Sequence, residues 1–363
     1  MAIMRVAVDL TIVDPPGMEA TGVGRHALEV TRALVAARPG WRFVVAGRRA
    51  DVPGAEPVRP AWPTERAGAR VAWLHARAGA MVRRYGADVW FSSAPLVPAT
   101  VRGPAVATFH DLVFLDRPQL YRGRLHARHA GWAARRAAAR ARALVCVSGA
   151  TAQAVVERLG ADPSRVVVVH NGVSNVFRRG AAHDSRGRHL LFVGTFEARK
   201  GLDTLAAALP AVRAAGVEAP LVLAGRPGWG AGDALARLRR EPGVEVRLDP
   251  DDQALAALYG DALAVLYPSA QEGFGLPVAE AMAAGRPVVA SDLDAIREWA
   301  GDVPWYVPPD DPGRLSKAIV ALLASPDRAA ARAAKGTEVA AGLSWTAAGE
   351  HIAAVLERAV SGR

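Results

Sequence analysis

A two-domain α/β protein is what the sequence predicts, and three observations predict it. Short apolar runs alternate with amphipathic helical stretches along nearly the whole chain, the pattern of parallel strands joined by helices. The alternation lapses through Arg178-Arg179-Gly180 and Asp184-Ser185-Arg186-Gly187 and then restarts, so a linker is expected there. At 363 residues the chain can bury two separate cores. The expected organisation is a first domain over residues 1–173, a second over 188–343 and a last helix over 344–363.

Composition narrows the classes. A hydrophobic fraction of 51% excludes a disordered chain. No apolar span has transmembrane length, and the opening MAIMRVAVDL reads as a strand rather than a signal peptide, so the expected location is the cytoplasm. The net charge of +10 fits an anionic partner, but of the 45 basic residues only Lys200, Lys317 and Lys335 are lysines. An arginine-biased composition explains the same total, so the distribution of charge matters more. Cys146 lies in an apolar run and reads as a buried structural thiol.

In chain order, residues 5–10 form the first strand. The loop 11–24 carries Asp14-Pro15-Pro16-Gly17 and ends at Gly22-Val23-Gly24-Arg25, ahead of a helix with Ala27, Leu28, Ala33, Leu34 and Val35 on its apolar face. This turn lacks the third glycine of a dinucleotide fingerprint, and taken alone it is a tight turn. Residues 42–47 form a strand, Ala67–Tyr85 a helix, and 88–92 and 105–108 two more strands, the last leading into Phe109-His110-Asp111-Leu112. A histidine at the carboxyl end of a parallel strand stands where α/β folds bind ligands, although a packed or solvated ring is the competing reading. Asp111 is suited to orienting that ring.

From residue 117 to residue 156 there is no Asp or Glu, while Arg117, Arg122, Arg124, Arg128, Arg135, Arg136, Arg140 and Arg142 are all present, interleaved with Leu125 and Trp132. Two readings stand: an amphipathic basic helix for an anionic membrane surface, or a solvated face in an arginine-rich protein. Strands at 143–148 and 165–170, with a helix at 151–159 between them, complete the first half.

Residues 189–196, containing LLFVGTF with its Gly194, restart the alternation. Glu197-Ala198-Arg199-Lys200-Gly201 then precede a helix at 202–215. Two adjacent cations at a helix start oppose its dipole and need a compensating anion, a role a diphosphate would fill; ordinary surface charge is the alternative. The strand Leu221–Gly225 runs into the glycine loop Gly225-Arg226-Pro227-Gly228-Trp229, followed by the strand Val244–Leu248, a helix at 253–259 and the strand Ala262–Tyr267.

The stretch 269–292, SAQEGFGLPVAEAMAAGRPVVASD, is the most specific part of the chain. It turns through Gly273, Phe274 and Gly275, places Pro277 as a first helical residue, continues as helix over 279–284, ends that helix at Gly285 and returns as a strand over 287–291. Glu272 and Glu280, with seven residues between them, can face one pocket; the competing reading is a Glu280 that merely favours the helix dipole and a Glu272 solvated in its loop. The backbone N–H groups around Gly275 and Leu276 would point there as an anion site. Phosphate donors beside carboxylate acceptors suit a nucleotide sugar. Beyond it lie a strand at Trp305–Val307, helices at Pro312–Leu323 and Pro326–Ala341, and an amphipathic helix from Ser344-Trp345 to Val360.

The run E-G-F-G-L-P-V-A-E-A-M-A-A-G-R-P-V-V-A-S resembles the E-x7-E signature of retaining glycosyltransferases of family 4, which have the GT-B fold, and is similar to bacterial mannosyltransferase-type members. His110-Asp111-Leu112, Ser148-Gly149-Ala150-Thr151, His170-Asn171-Gly172-Val173 and the Arg199-Lys200 pair resemble further motifs of the family; Ala198 and Gly201 stand where it often has Pro and Asn. The resemblance implies two Rossmann-like domains facing across a cleft, the first for the acceptor and the second for the donor, with the C-terminal helix crossing back to the first. It assigns donor binding to Gly22, Gly24, Gly194, Arg199, Lys200, Gly225, Glu272, Gly273, Phe274, Gly275, Leu276 and Glu280, and catalysis to His110, Glu272, Arg199 and Lys200.

The implied reaction is hexosyl transfer with retention, with GDP-mannose as the first donor to test and a glycan, glycolipid or small molecule as acceptor, in polysaccharide or glycolipid assembly. Asp249-Pro250-Asp251 and Asp292-Leu293-Asp294 match the D-x-D pattern that holds a divalent metal in other glycosyltransferases. With Arg199, Lys200 and a helix N-terminus assigned to the phosphates, no metal and no cofactor are expected. Membrane contact through residues 117–142 would place the protein at the inner face of the plasma membrane; nucleic acid is not an expected partner. A nucleotide-sugar epimerase on the same fold and a non-catalytic basic membrane- or nucleic-acid-binding protein are the alternatives. The second of these leaves Glu272, Glu280, Arg199 and His110 unexplained.

Overall fold

The computed structural model describes residues 3–49, 51–121, 123–179 and 187–362. Arg122 of the basic stretch and residues 180–186 of the expected linker lie outside the described residues. Elements in chain order are β1 (Arg5–Asp9), α1 (Gly22–Ala37), β2 (Arg42–Ala46), β3 (Glu56–Val58), α2 (Ala67–Tyr85), β4 (Val89–Ser92), β5 (Ala105–Phe109), α3 (Val113–Asp116), α4 (Arg124–Arg140), β6 (Ala143–Cys146), α5 (Gly149–Leu159), β7 (Val166–Val168) and α6 (Asn175–Arg179). They continue with β8 (His189–Val193), α7 (Leu202–Ala214), β9 (Leu221–Gly225), α8 (Gly232–Arg240), β10 (Val244–Leu248), α9 (Asp252–Gly260), β11 (Ala262–Tyr267), α10 (Leu276–Ala283), β12 (Val288–Ser291), α11 (Asp294–Ala300), β13 (Trp305–Val307), α12 (Pro312–Leu323), α13 (Pro326–Ala341) and α14 (Trp345–Ser361).

These elements fold as two compact units, one of Met1–Leu112, Arg128–Gly172 and Ser344–Arg363, the other of Val113–Ala127 and Val173–Leu343. Each unit is built on a parallel sheet, with strand orders β3-β2-β1-β4-β5-β6-β7 and β10-β9-β8-β11-β12-β13. In both sheets the winding reverses, between β1 and β4 in the first and between β8 and β11 in the second. Such switch points open a crevice at the carboxyl ends of the strands, where ligands bind. The two sheet-and-helix units are the Rossmann-like pair of a GT-B architecture.

The strands form where the sequence is continuously apolar. β4, β5, β6, β8 and β12 are buried along their whole length, as parallel strands covered on both faces must be. In the second unit β8, β9 and β11 pack through Leu190, Phe192, Leu223, Ala264 and Leu266 onto Leu205, Leu209 and Val212 of α7 and Leu315 and Ile319 of α12. β3 is a short edge strand with a proline inside, which only an edge tolerates.

Four details depart from the pattern read along the chain. α10 begins at Leu276, with Gly275 as its cap at φ 90°, so Pro277 is one position further into the first turn than expected. Residues 165–170 yield only the three-residue β7, preceded by a 3-10 turn at Pro163–Arg165. The short helices α3, α6, α8 and α11 fill stretches without a clear period. Val113–Ala127 belongs by its contacts to the second unit although it lies within the first half of the sequence.

The last helix packs on the first. α14 is capped by Ser344, whose Oγ accepts the N–H of Ala347 at 3.4 Å, and buries Trp345, Ala348, Ile352, Val355 and Leu356. Its Gly349 lies where a Cβ would stand 2.6 Å from the backbone carbon of Ala33 in α1, so the two helices touch backbone to backbone. Arg38 at the end of α1 pairs with Glu350 at 2.6 Å and Glu357 at 3.1 Å. Gly349→Val overpacks this contact, at a cost of about 1–3 kcal/mol. In thermal melts followed by circular dichroism its first transition should fall by several degrees.

Candidate functional site

The site of the second unit is built at its switch point. After β8 the chain passes Gly194 and enters a 3-10 turn at Ala198–Lys200; after β11 it passes Pro268 and reaches the loop ahead of α10. The two segments are pressed together. A Cβ on Gly201, at φ 74°, would fall 1.9 Å from the Pro268 carbonyl oxygen, and the Ala270 N–H donates to the Arg199 carbonyl at 2.8 Å. A Cβ on Gly225, at the end of β9, would fall 1.9 Å from the Gly194 carbonyl oxygen. Gly201 and Gly225 are thus required for the strand ends to meet, with Gly194 supplying the carbonyl that Gly225 approaches.

That approach brings Arg199, Lys200 and Glu272 into one buried cluster. Lys200 Nζ donates to Glu272 Oε1 at 2.6 Å and to the Tyr267 hydroxyl at 3.3 Å; Arg199 donates through Nη1 to Glu272 Oε2 at 3.1 Å and through Nε to Glu197 Oε2 at 2.9 Å. The Glu272 side chain is 7% exposed and that of Lys200 10%. Burial alone would raise the Glu272 carboxyl, but Lys200 and Arg199 outweigh it and hold it down, from 4.5 to about 2. Burial and the neighbouring Arg199 lower the Lys200 ammonium, against the pull of Glu272. In the protein alone, therefore, Glu272 and Glu197 are the anions that balance the cation pair.

Gly273, Phe274, Gly275 and Leu276 lead from this cluster into the buried N-terminus of α10. Phe274 is locked by stacking on Trp299, centroids 5.1 Å apart, while the Trp299 indole N–H donates to the Phe274 carbonyl at 3.0 Å. Glu280, one turn into α10, is 4% exposed and accepts the Tyr259 hydroxyl at 2.9 Å. Sequence reasoning missed Tyr259, Tyr267 and Glu197 as partners of these groups. For the two tyrosines the available signal was a polar-tipped aromatic in otherwise apolar surroundings, which when buried needs a hydrogen-bond partner.

In the first unit His110 follows β5 at the carboxyl edge of the sheet. Its Nε2 lies 2.8 Å from the Ser93 carbonyl oxygen; a carbonyl only accepts, so Nε2 carries the proton and Nδ1 is an acceptor. Burial lowers its pKa, opposed by the Ser93 bond and by the charge of Asp111. The ring lies edge-on to His26, centroids 4.6 Å apart. His26, whose Nδ1 is 2.7 Å from Asn171 Oδ1, is driven by burial and by His110 down to about 3. Gly22 and Gly24 open α1. The Gly24 N–H is held by the Thr21 hydroxyl at 3.1 Å, and a Cβ there would fall 1.8 Å from the Met18 carbonyl oxygen, so this glycine serves the packing of its own loop.

Three of the four D-x-D carboxylates have structural partners. Asp251 caps α9 by accepting the Ala254 N–H at 2.8 Å, Asp249 faces Arg226 at 3.6 Å, and Asp292 takes two bonds from Arg297 at 2.8 and 2.9 Å. Among the described residues no group of three His, Cys, Asp or Glu side chains could hold a metal ion, and no helix is long and apolar enough to cross a membrane.

Because the Glu272 pKa is lower folded than unfolded, its charge adds stability that is fully present above about pH 4.5 and is lost as pH falls toward about 2. Glu272→Gln should therefore melt below the wild type at pH 7, with a deficit that stays constant down to about pH 5 and narrows below it. A deficit independent of pH down to pH 3.5 would show that the ion cluster does not hold the loops together.

Two family models match the chain, "Glycosyltransferase Family 4" over residues 20–175 and "Glycosyl transferases group 1" over residues 187–325. The phosphatidyl-myo-inositol mannosyltransferase of Mycobacterium leprae is 32% identical over 269 residues, 70% of this chain and 67% of that protein. A D-inositol 3-phosphate glycosyltransferase of Catenulispora acidiphila is 33% identical over 241 residues, 60% of this chain and 58% of that protein, so the chain matches less than two thirds of this second relative's length. In fold the chain is similar to sucrose-phosphate synthase from Thermosynechococcus elongatus, with a TM-score of 0.77 over 99% of this chain and 100% of that one, at 21% identity. The models matching both halves and the similarity to the Mycobacterium leprae enzyme lead to one conclusion: the chain belongs to the family 4 glycosyltransferases.

Proposed function

We propose that this glycosyltransferase moves a hexose, mannose from GDP-mannose first, to a glycan, glycolipid or small-molecule acceptor, with retention of configuration and without a metal. The observation that carries the reading is the buried Arg199–Lys200–Glu272 cluster at the carboxyl ends of β8 and β11, beside the N-terminus of α10. It is a built anion site whose cations are balanced by a carboxylate until a ligand arrives. A donor diphosphate takes over those cations, and the Glu272 carboxylate turns to accept hydroxyls of the donor sugar. Glu280 accepts from the ribose.

In the reaction the bond from the anomeric carbon to the diphosphate oxygen breaks, with its electron pair going to the diphosphate. Arg199, Lys200 and the N-terminal dipole of α10 stabilise that charge as it develops. The acceptor oxygen bonds the same face of the sugar, and its proton passes to a diphosphate oxygen. No carboxylate is assigned as nucleophile: Glu272, released from Arg199 and Lys200 by the diphosphate, is assigned to hydroxyls of the donor sugar rather than to its anomeric carbon. His110, its Nε2 engaged with Ser93, is assigned a sugar hydroxyl through Nδ1.

The mannosyl donor and an inositol-containing or lipid acceptor are supported by what the Mycobacterium leprae relative is named for, a mannosyltransferase acting on phosphatidyl-myo-inositol. A cytoplasmic location at an anionic membrane face belongs to the same proposal. α4 carries exposed Arg128, Trp132 and Arg135 at one-turn spacing, with Leu125 a further two turns before Trp132, and Trp132 is 50% exposed and Leu125 79%. A basic face with aromatic and aliphatic tips suits headgroups and the acyl boundary together.

Thermal stability in EDTA with GDP, UDP, dTDP or ADP tests the donor site. At a hundredfold excess over its Kd the cognate nucleotide adds about 2.7 kcal/mol, a shift of several degrees, and Glu280→Ala should lose it. A shift that needs magnesium would remove the metal-independent reading; no shift with any nucleotide would remove the donor site. For α4, the protein should sediment with phosphatidylglycerol vesicles and not with phosphatidylcholine vesicles at low salt. Arg128→Glu with Arg135→Glu should weaken that partitioning by more than about tenfold.

A further inference from the structure

The carboxylate of Glu280 sits in a helix that is otherwise apolar and almost wholly buried. A buried carboxylate must be held by donors. Tyr259, itself fully buried on α9, supplies one: its hydroxyl is 2.9 Å from Glu280 Oε2 and 3.4 Å from the Pro277 carbonyl oxygen. A phenol has one proton, and the shorter bond to a carboxylate is the stronger. Neither end of that bond is free to wander. The Tyr259 ring packs edge-on against the buried Phe177, centroids 5.7 Å apart at 86°, and Arg286 donates to the carbonyl of the next residue, Gly260. α10 is fixed at its start by the Gly275 cap, where a Cβ would press on Ile296 at 3.0 Å.

Nothing in the transfer step requires a phenol at this place, and a phenylalanine would fill the same apolar space. We propose that Tyr259 is a positioning residue for nucleotide recognition, its hydroxyl holding one oxygen of Glu280 so that the carboxylate is aimed at the ribose hydroxyls before the nucleotide arrives. The hydroxyl acts on the ligand only through Glu280, and the inference rests on the ribose assignment of Glu280 made above. Its benefit is preorganisation: a carboxylate already in its bound rotamer loses less freedom on binding.

The test is a set of calorimetric dissociation constants for GDP, UDP and ADP, each with its 2′-deoxy and 3′-deoxy counterparts, on wild type, Tyr259→Phe, Glu280→Ala and the double variant. Tyr259→Phe should weaken binding of the preferred ribonucleotide about tenfold, the usual consequence of losing one hydrogen bond to a charged group. It should weaken the deoxy form that Glu280 no longer contacts by less than about twofold. In the Glu280→Ala background the second substitution should add nothing, and the melting temperature without nucleotide should report that Tyr259→Phe is folded. Wild-type affinity in Tyr259→Phe would overturn the inference. So would a loss equal for ribose and deoxyribose nucleotides or undiminished in Glu280→Ala, since either marks general loosening of the pocket. If Glu280→Ala itself binds ribonucleotides as the wild type does, the ribose assignment falls and takes this inference with it.

Discussion

Two like charges on neighbouring residues, both withdrawn from water, can exist only if an anion is delivered to them. Arg199 and Lys200 are held in a turn too short to spread them apart, and Glu272 reaches them from a different strand end with one oxygen for each. Much of the local architecture follows from that demand. Gly201 lacks a side chain so that the turn can lie on Pro268, the Arg199 carbonyl takes the Ala270 N–H, and Tyr267 places its hydroxyl beside the ammonium. Losing one member of such a buried set costs about 3–5 kcal/mol, mostly because its partners stay behind. In the proposed donor complex one anion would replace another, and the charge balance of the interior would survive the exchange.

The two units solve the same topological problem with different chemistry. Each reverses its winding in mid-sheet and so presents strand ends to a crevice. The second unit lines those ends with charge. The first lines them with neutral rings: His110 on the Ser93 carbonyl, His26 on Asn171, both kept uncharged by burial. A neutral imidazole can accept a hydrogen bond from a hydroxyl while adding no cation, which is what the role proposed for His110 asks of it.

The alternation of strands and helices was readable because parallel strands buried on both faces need unbroken apolar runs, as in residues 190–193 and 262–267. The stretch from Glu272 to Glu280 was readable because glycine, proline and carboxylate stand there at fixed spacing. The partners of those residues were not, since a hydrogen bond from Tyr259 on α9 to Glu280 on α10 depends on how helices dock rather than on any local pattern. For the same reason the mutual balance of Arg199 and Glu272, separated by 73 residues, could be expected only as a need for some anion. Gly24 illustrates a different limit. Its glycine is demanded by the Met18 carbonyl of its own loop, a close approach that nothing in the order of residues announces.

The docking of α14 on α1 has a consequence for the order in which the molecule is made. Gly349 meets Ala33 across most of the chain, and loops of that length close slowly. The second unit contains no part of α14, so all its residues have been synthesised when Leu343 emerges, while the first still lacks its final helix. During synthesis the N-terminal sheet therefore waits, with the α1 face uncovered, for residues made after the whole second unit. The unit that begins first is completed only after the other, and its exposed helix face is where chaperones would find a nascent chain to hold.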